Sequence, residues 1–231
     1  MVAIARSWPA GIFPKSGFFH PDSASRSGGQ SISGSEQVTV GQARWRARFS
    51  GPVVTEESVL SWRAFVADMA GRAGTVLVPR WEAYGPTNVN GRRLSEVEAA
   101  TYDNGGPVGG LNFDLSGFGQ EVPTHATLDA AAAINDTRIV VNLNNVEGPR
   151  PGQYFGITDR LYLATHVWQV EEGEPTHIQF TPWLRASAAS GTRVILDRPV
   201  CLMRFAQDQT GELELDMGRW GQGELELVEA I

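Results

Sequence analysis

The 231-residue chain has one cysteine, Cys201, one lysine, Lys15, and four histidines. A single cysteine excludes an intramolecular disulfide framework and a cysteine-rich zinc site. Cys201 sits in the apolar run Pro199-Val-Cys-Leu-Met and reads as a buried, inert thiol. His20, His125, His166 and His177 lie too far apart for the helix-face spacing of a metalloprotease. His166 falls in a strand pattern and reads as structural. His125 has Asp129 four residues on, a possible metal or acid-base pair, but the alanine-rich surroundings favour a capping or surface role. No run of about 18 apolar residues is present, so no membrane-spanning helix and no membrane insertion is expected. The first residues carry Arg6 and Lys15, are broken by Pro9 and Pro14, and lack an apolar stretch, so no secretory leader is expected. No G-x-S-x-G elbow, phosphate loop or dinucleotide fingerprint occurs. The expectation is therefore a protein that is not an enzyme and needs no cofactor. Asp103 and Asp114, in a glycine-rich loop, are the carboxylates that a glycosidase reading would have to use. Nothing in the sequence fixes their separation, and loop solvation is the commoner role for such residues.

Hydrophobic residues make up 42% and charged residues 19%, a globular composition. The net charge is -7. It is unevenly spread, +4 over residues 1–80 and -11 over 81–231. An acidic chain without a clustered basic stretch argues against tight binding to nucleic-acid phosphates. Nearly all basic residues are arginine, which suits interfaces through its planar fork and also follows from GC-rich coding.

Residues 1–35 are rich in Gly, Ser and Pro, with Phe13, Phe18 and Phe19 among them. They read as an N-terminal arm, and two roles stay open: docking on a partner, or covering its own domain. A strand is expected over 36–50. Trp45, Ala47 and Phe49 alternate there with Arg44, Arg46 and Arg48, the period of a half-buried strand with an arginine face outward. A helix is expected over 56–70, with Thr55 as N-cap, Glu56 and Glu57 at its positive end, and Gly71 as its stop. Val59, Trp62, Val66 and Met69 share its apolar face. A strand closed by Pro79 follows at 75–79. Residues 84–123 hold many glycines and three prolines, a long loop of the kind that is usually functional or an insertion, with a short helix possible at 95–100.

From residue 126 the pattern turns to short strands, at 138–146, 160–170, 176–180, 193–196, 200–205, 212–217 and 224–228, separated by Gly, Pro and Asn turns. Such spacing argues for a small barrel or sandwich. Glu212, Glu214, Glu224 and Glu226 fall on one side of their strands and predict an acidic ribbon. Seven tryptophans are present, with Trp81, Trp168, Trp183 and Trp220 spread over the strand region. Burial is the usual fate of a strand tryptophan, and one or two are expected to serve binding.

Several segments together resemble a family. They are Gly29-Gln-Ser-Ile-Ser-Gly34, the strand with Trp45, and the helix ending in Met69-Ala-Gly-Arg-Ala-Gly-Thr-Val-Leu-Val-Pro79. To these are added Pro151-Gly-Gln-Tyr-Phe-Gly-Ile-Thr-Asp-Arg-Leu-Tyr-Leu-Ala164, Phe180-Thr-Pro-Trp-Leu-Arg-Ala186, Gly191-Thr192 and Asp197-Arg-Pro-Val-Cys-Leu-Met-Arg204. In order and spacing they resemble the distal tail proteins of long-tailed bacteriophages and gene transfer agents. The resemblance implies a mainly β chain: a β-sandwich or split barrel with one flanking helix, then a small barrel of OB or galectin type. It implies a structural virion protein at the tail tip, made in the host cytoplasm. Six copies would form a ring between the tail tube protein and the hub or baseplate proteins, with DNA only as passing cargo. In this family the second domain is often inserted in the first, and the present chain is expected to depart from that, with the glycine-rich loop at 84–123 as the crossing or a contact loop. The expected division here is an arm at 1–35, a strand–helix–strand part at 36–83, a contact loop or crossing at 84–125, and a strand-rich part at 126–231. Phe18, Phe19, Arg44, Trp45, Arg46 and Arg48 are the expected interface residues. The alternative is a carbohydrate-binding barrel module directed at host-surface polysaccharide.

Overall fold

The computed structural model describes residues 5–9, 11–22, 25–30, 33–34, 36–40, 43–53, 55–81, 84–89, 91, 93–94, 111–114, 117–120, 125–171, 173–216 and 220–231. Among the described residues the fold is mainly β, with one α-helix, a closed antiparallel barrel and a mixed sheet. In chain order the elements are β1 (Arg6–Ser7), β2 (Ser16–Asp22), β3 (Ser25–Gln30), β4 (Glu36–Val40), β5 (Arg44–Val53), α1 (Glu56–Met69), a 3-10 turn (Gly71–Ala73) and β6 (Val76–Pro79). Then come β7 (Leu111–Asp114), β8 (Gly117–Gln120), β9 (His125–Leu128), β10 (Arg138–Asn144), β11 (Tyr154–Ile157), β12 (Arg160–Trp168), β13 (Thr176–Thr181) and β14 (Arg193–Ile195). The last three are β15 (Val200–Phe205), β16 (Leu215–Asp216) and β17 (Trp220–Glu229).

The chain divides into two compact units, one of Met1–Pro79 with Cys201–Ile231, the other of Arg80–Val200. The second is thus an insertion in the first. The strand-rich part expected over 126–231 is shared between them: residues up to 200 belong to the inserted unit, and the strands after it return to the first. The expected short helix at 95–100, and most of the glycine-rich loop, lie outside the described residues; within that loop, β7 and β8 pair as a hairpin.

The first unit is built on a seven-stranded sheet in the order β1-β6-β15-β17-β5-β2, with β16 against β17. β1 runs parallel to β6, and β5 is antiparallel to both of its neighbours, β17 and β2. The alternation in β5 has the expected result: Trp45, Ala47 and Phe49 are buried, while Arg44, Arg46 and Arg48 are exposed. β17 repeats the pattern, with Leu225 and Leu227 buried opposite Phe49 and Ala47. The helix forms where a capping box starts it. Thr55 Oγ1 accepts from the Ser58 N–H, and Ser58 Oγ accepts from the Thr55 N–H. Its buried face is Val59, Trp62, Phe65 and Met69. The Trp62 indole N–H donates to the Gly211 carbonyl at 2.8 Å, and the Phe65 ring meets Phe205 edge-on. The first residues close this core as well. Trp8 packs on Phe49 and Phe65, and Arg6 pairs with Asp68 of α1. The described residues of the arm are part of the fold: β1 and β2 are strands of the sheet, and β3 pairs with β4 as a hairpin.

The inserted unit is a closed barrel of six antiparallel strands, in the order β10-β13-β12-β11-β14-β9 and back to β10. The neighbours β10, β13, β12 and β11 make a Greek key, three hairpin-linked strands with the preceding strand brought beside the last. Six strands enclose too little space for a lumen, and side chains fill it. Phe155, Tyr162 and Phe180 meet at its centre with ring centroids 5.0–5.6 Å apart. Leu128, Val141, Ile178 and Val194 surround them. The two ends of the insertion meet, since the Arg80 N–H donates to the Pro199 carbonyl at 2.9 Å.

Candidate functional surfaces

On the outer face of the first unit's sheet, register sets Phe18 opposite Arg48, His20 opposite Arg46 and Asp22 opposite Arg44. Across β5, Arg48 faces Glu226 and Ser50 faces Glu224. The arginines bond diagonally. Arg46 pairs with Asp22 at 3.2 Å and Arg48 with Glu224 at 3.3 Å. Both pairs are about half exposed or more, so each contributes at most about 1 kcal/mol. The expected acidic ribbon exists only in part. Glu212, Glu214 and Glu224 are exposed, Glu226 is half-buried, and among the described residues 212–216 the strand is Leu215 and Asp216 alone. This face is therefore a checkerboard of both signs with Phe18, 49% exposed, at its edge on β2.

Three expected anchors separate here. Phe18 is exposed. Trp45 and Phe19 are instead inside the first unit, at 0% and 7% exposure, with the rings of Phe19 and Phe49 in edge contact at 5.6 Å. The reason is the strand period: Phe18 and Phe19 are adjacent, so they point to opposite faces, and Trp45 shares Phe19's face. The three arginines, by the same alternation, all reach the surface.

The barrel carries a second surface. Ile178 is buried, so His177 and Gln179 on β13 face outward, as do Arg138 and Val140 on β10 and His166 and Trp168 on β12. Trp168 is directly opposite His177, and the two rings are parallel within 12° at 5.3 Å between centroids. The Arg138 guanidinium carbon lies 5.9 Å from the centre of the Trp168 ring. Trp168 remains 38% exposed, while Trp81 and Trp183 are half-buried; the side chain of Trp220 lies outside the described part of the structure. A β-bulge between Ala164 and His166 sets this orientation. Sequence reasoning counted Trp168 among four equivalent tryptophans. The signal that it differs is the polar company of its strand end, Gln169 to Glu174, where a buried strand would stay apolar.

A small depression on the barrel is lined by His125, Arg193 and Asp197 over Leu94, Val146 and Leu196. Burial pushes the Asp197 carboxyl above its ordinary range, against the opposing pull of the Arg198 charge and backbone N–H. His125 and Asp129 each meet a separate asparagine. Asn142 donates to Asp129 at 2.9 Å, and His125 lies 3.4 Å from Asn144. Cys201 is buried, as expected. Asp114 falls on β7, and Asp103 lies outside the described residues. Among the described residues no three His, Cys, Asp or Glu side chains gather to hold a metal ion, and no helix is long and apolar enough to cross a membrane.

No protein-family model matches the chain, and no curated protein matches it.

Proposed function

We propose that the chain is a structural virion protein. It would be the subunit of a closed ring of six at the distal end of a long-tailed phage or gene-transfer-agent tail, joining the tail tube to the hub or baseplate. The observation that carries this reading is the insertion. A small closed barrel interrupts a sheet-and-helix unit between β6 and β15, the arrangement common in the family the sequence resembles, in place of the consecutive parts expected for this chain. In finer terms the first unit is read as a β-sandwich or split barrel flanked by α1. The Greek-key closure of the second is closer to an OB-like barrel than to a galectin-like sandwich.

The sheet of the first unit ends in β1 on one side and β2 on the other. Two unlike edges suit a head-to-tail ring, in which one surface of each copy meets a different surface of the next. The exposed arginines Arg44, Arg46 and Arg48, with Phe18, are the interface groups on this reading. The net charge of -7 suits a ring through which DNA passes without adhering. On this reading the protein works by assembly in the virion, after synthesis in the host cytoplasm, without catalysis or cofactor.

The test is the mass of the purified chain by light scattering, with negative-stain imaging, alone and mixed with the tail tube protein from the same genome. A six-fold ring in either sample supports the reading. A monomer in both rejects it. A second reading, a carbohydrate-binding barrel directed at host-surface polysaccharide, is favoured by one feature, the exposed Trp168 on the barrel's outer face.

A further inference from the structure

We propose that Trp168, His177 and Arg138 form a stacking platform for a pyranose ring of a neutral saccharide. The inference rests on the carbohydrate-binding reading of the barrel and is independent of ring formation, since all three residues lie in the inserted unit.

Three observations converge on this place. First, an indole on the outer face of a barrel strand is 38% exposed, and Val170, two residues on, is 72% exposed. Apolar surface left open beside polar groups marks contact sites more often than scattered single residues do. Second, the indole is already held. His177 stacks on it across the strand pair, and the Arg138 guanidinium lies 5.9 Å from its centre. A ring fixed in this way loses little freedom when a ligand arrives. Third, hydrogen-bonding groups of both kinds stand around it. Register puts His166, Gln179 and Arg138 in the next row of the same face. The turn after β12, closed by the Gln169 amide donating to the Glu174 carbonyl and to Thr176, carries the exposed carboxylates of Glu171 and Glu174.

Charge selects among ligands with a flat or apolar face. A nucleic acid strand also stacks on tryptophan, but it needs a positive groove for its phosphates. Here one arginine is offset by two carboxylates at the adjoining turn, on a chain of net charge -7. Carboxylates repel phosphate and accept hydrogen bonds from hydroxyl groups. A pyranose offers both complements, an apolar C–H face for the indole and hydroxyls for the surrounding donors and acceptors.

The experiment is calorimetric titration of the full chain with maltohexaose, cellohexaose and chitohexaose, and with a dT oligonucleotide as the anionic control. Trp168→Ala, Trp168→Phe and Arg138→Ala are compared with the parent, each with its circular dichroism spectrum. The expected result is saturable binding of at least one hexasaccharide, weakened at least tenfold in Trp168→Ala. Trp168→Phe, which keeps an aromatic face, recovers part of it. Saccharide binding that Trp168→Ala leaves within twofold overturns the platform while the carbohydrate reading stands. No saturable binding of any hexasaccharide overturns both. Binding of the oligonucleotide through Trp168, in place of the saccharides, overturns the ligand class.

Discussion

Gly223 lies against the Trp62 indole so closely that a β-carbon there would sit 2.4 Å from the ring. Trp62 cannot retreat, because its N–H is bound to the Gly211 carbonyl and its ring is buried under the helix. Gly223→Ala is therefore expected to destabilise the protein by about 1–3 kcal/mol, the usual cost of overpacking, read as a lower urea midpoint with an unchanged slope. A change of that size at an alternating-strand position is invisible in the sequence, where Gly223 looks like one more turn residue before Glu224. Asp197 gives a second residue-scale expectation. Its folded carboxyl titrates higher than the unfolded one because burial disfavours the charge. Its contribution to stability is thus fully present below the unfolded pKa and is lost as pH rises through the folded value. Asp197→Asn keeps an oxygen to accept the Arg198 N–H and removes the buried charge. It is expected to be more stable than the parent at neutral pH, with the difference closing below about pH 4, the ordinary carboxylate range. Urea unfolding at pH 3.5 and pH 7 compares the two; a gap that is as wide at low pH as at neutral pH contradicts the assignment.

At the scale of elements, α1 was the most legible part of the sequence, and its ends show why. Local chemistry sets a helix start, and Thr55 is the N-cap in both the sequence reading and the structure. Thr55→Ala removes the oxygen that accepts the Ser58 N–H and is expected to lower stability by about 1 kcal/mol. The end differs by one residue. Gly71 reads as the stop, yet the helix closes at Met69, and Ala70 adopts the left-handed conformation at φ 48°. An alanine there is strained by its β-carbon, so Ala70→Gly is expected to stabilise by about 0.5–1 kcal/mol, seen as a raised thermal midpoint. The strands were legible in proportion to their alternation. β12 to β15 are close to their expected positions, whereas the single strand expected over 36–50 is two, β4 at Glu36–Val40 paired with β3 and β5 at Arg44–Val53 in the larger sheet. β2 was hidden in the arm because Ser16-Gly-Phe-Phe-His-Pro has adjacent phenylalanines and a proline in place of a period. That adjacency also decided the fate of the interface candidates, sending Phe18 outward and Phe19 into the core. Pro21 is tolerated because β2 is the last strand of its sheet, where a missing donor breaks no interior ladder.

For the whole molecule, the insertion makes its own prediction. The barrel has its own core, and the ends of residues 80–200 are joined by the Arg80–Pro199 hydrogen bond. A fragment of residues 80–200 is expected to fold alone with a cooperative thermal transition. The first unit, with residues 80–200 replaced by a short Gly-Ser linker, is expected to fold as well. Dispersed amide signals in the proton–nitrogen spectrum of each fragment would bear this out, and a collapsed spectrum for the barrel fragment would contradict it. The sequence by itself determined the helix, its cap, the two faces of β5 and the run of short strands, because these depend on neighbours a few residues away. Burial period tells which face of a strand is covered, but it does not name the strand beside it. Only the tertiary structure decided that β15 and β17 leave the barrel and complete the sheet begun by β5 and β6, that β9 to β14 close on themselves, and that Trp168, His177 and Arg138 meet on one face. Those facts are pairings over tens to hundreds of residues, settled by which apolar faces can be buried together.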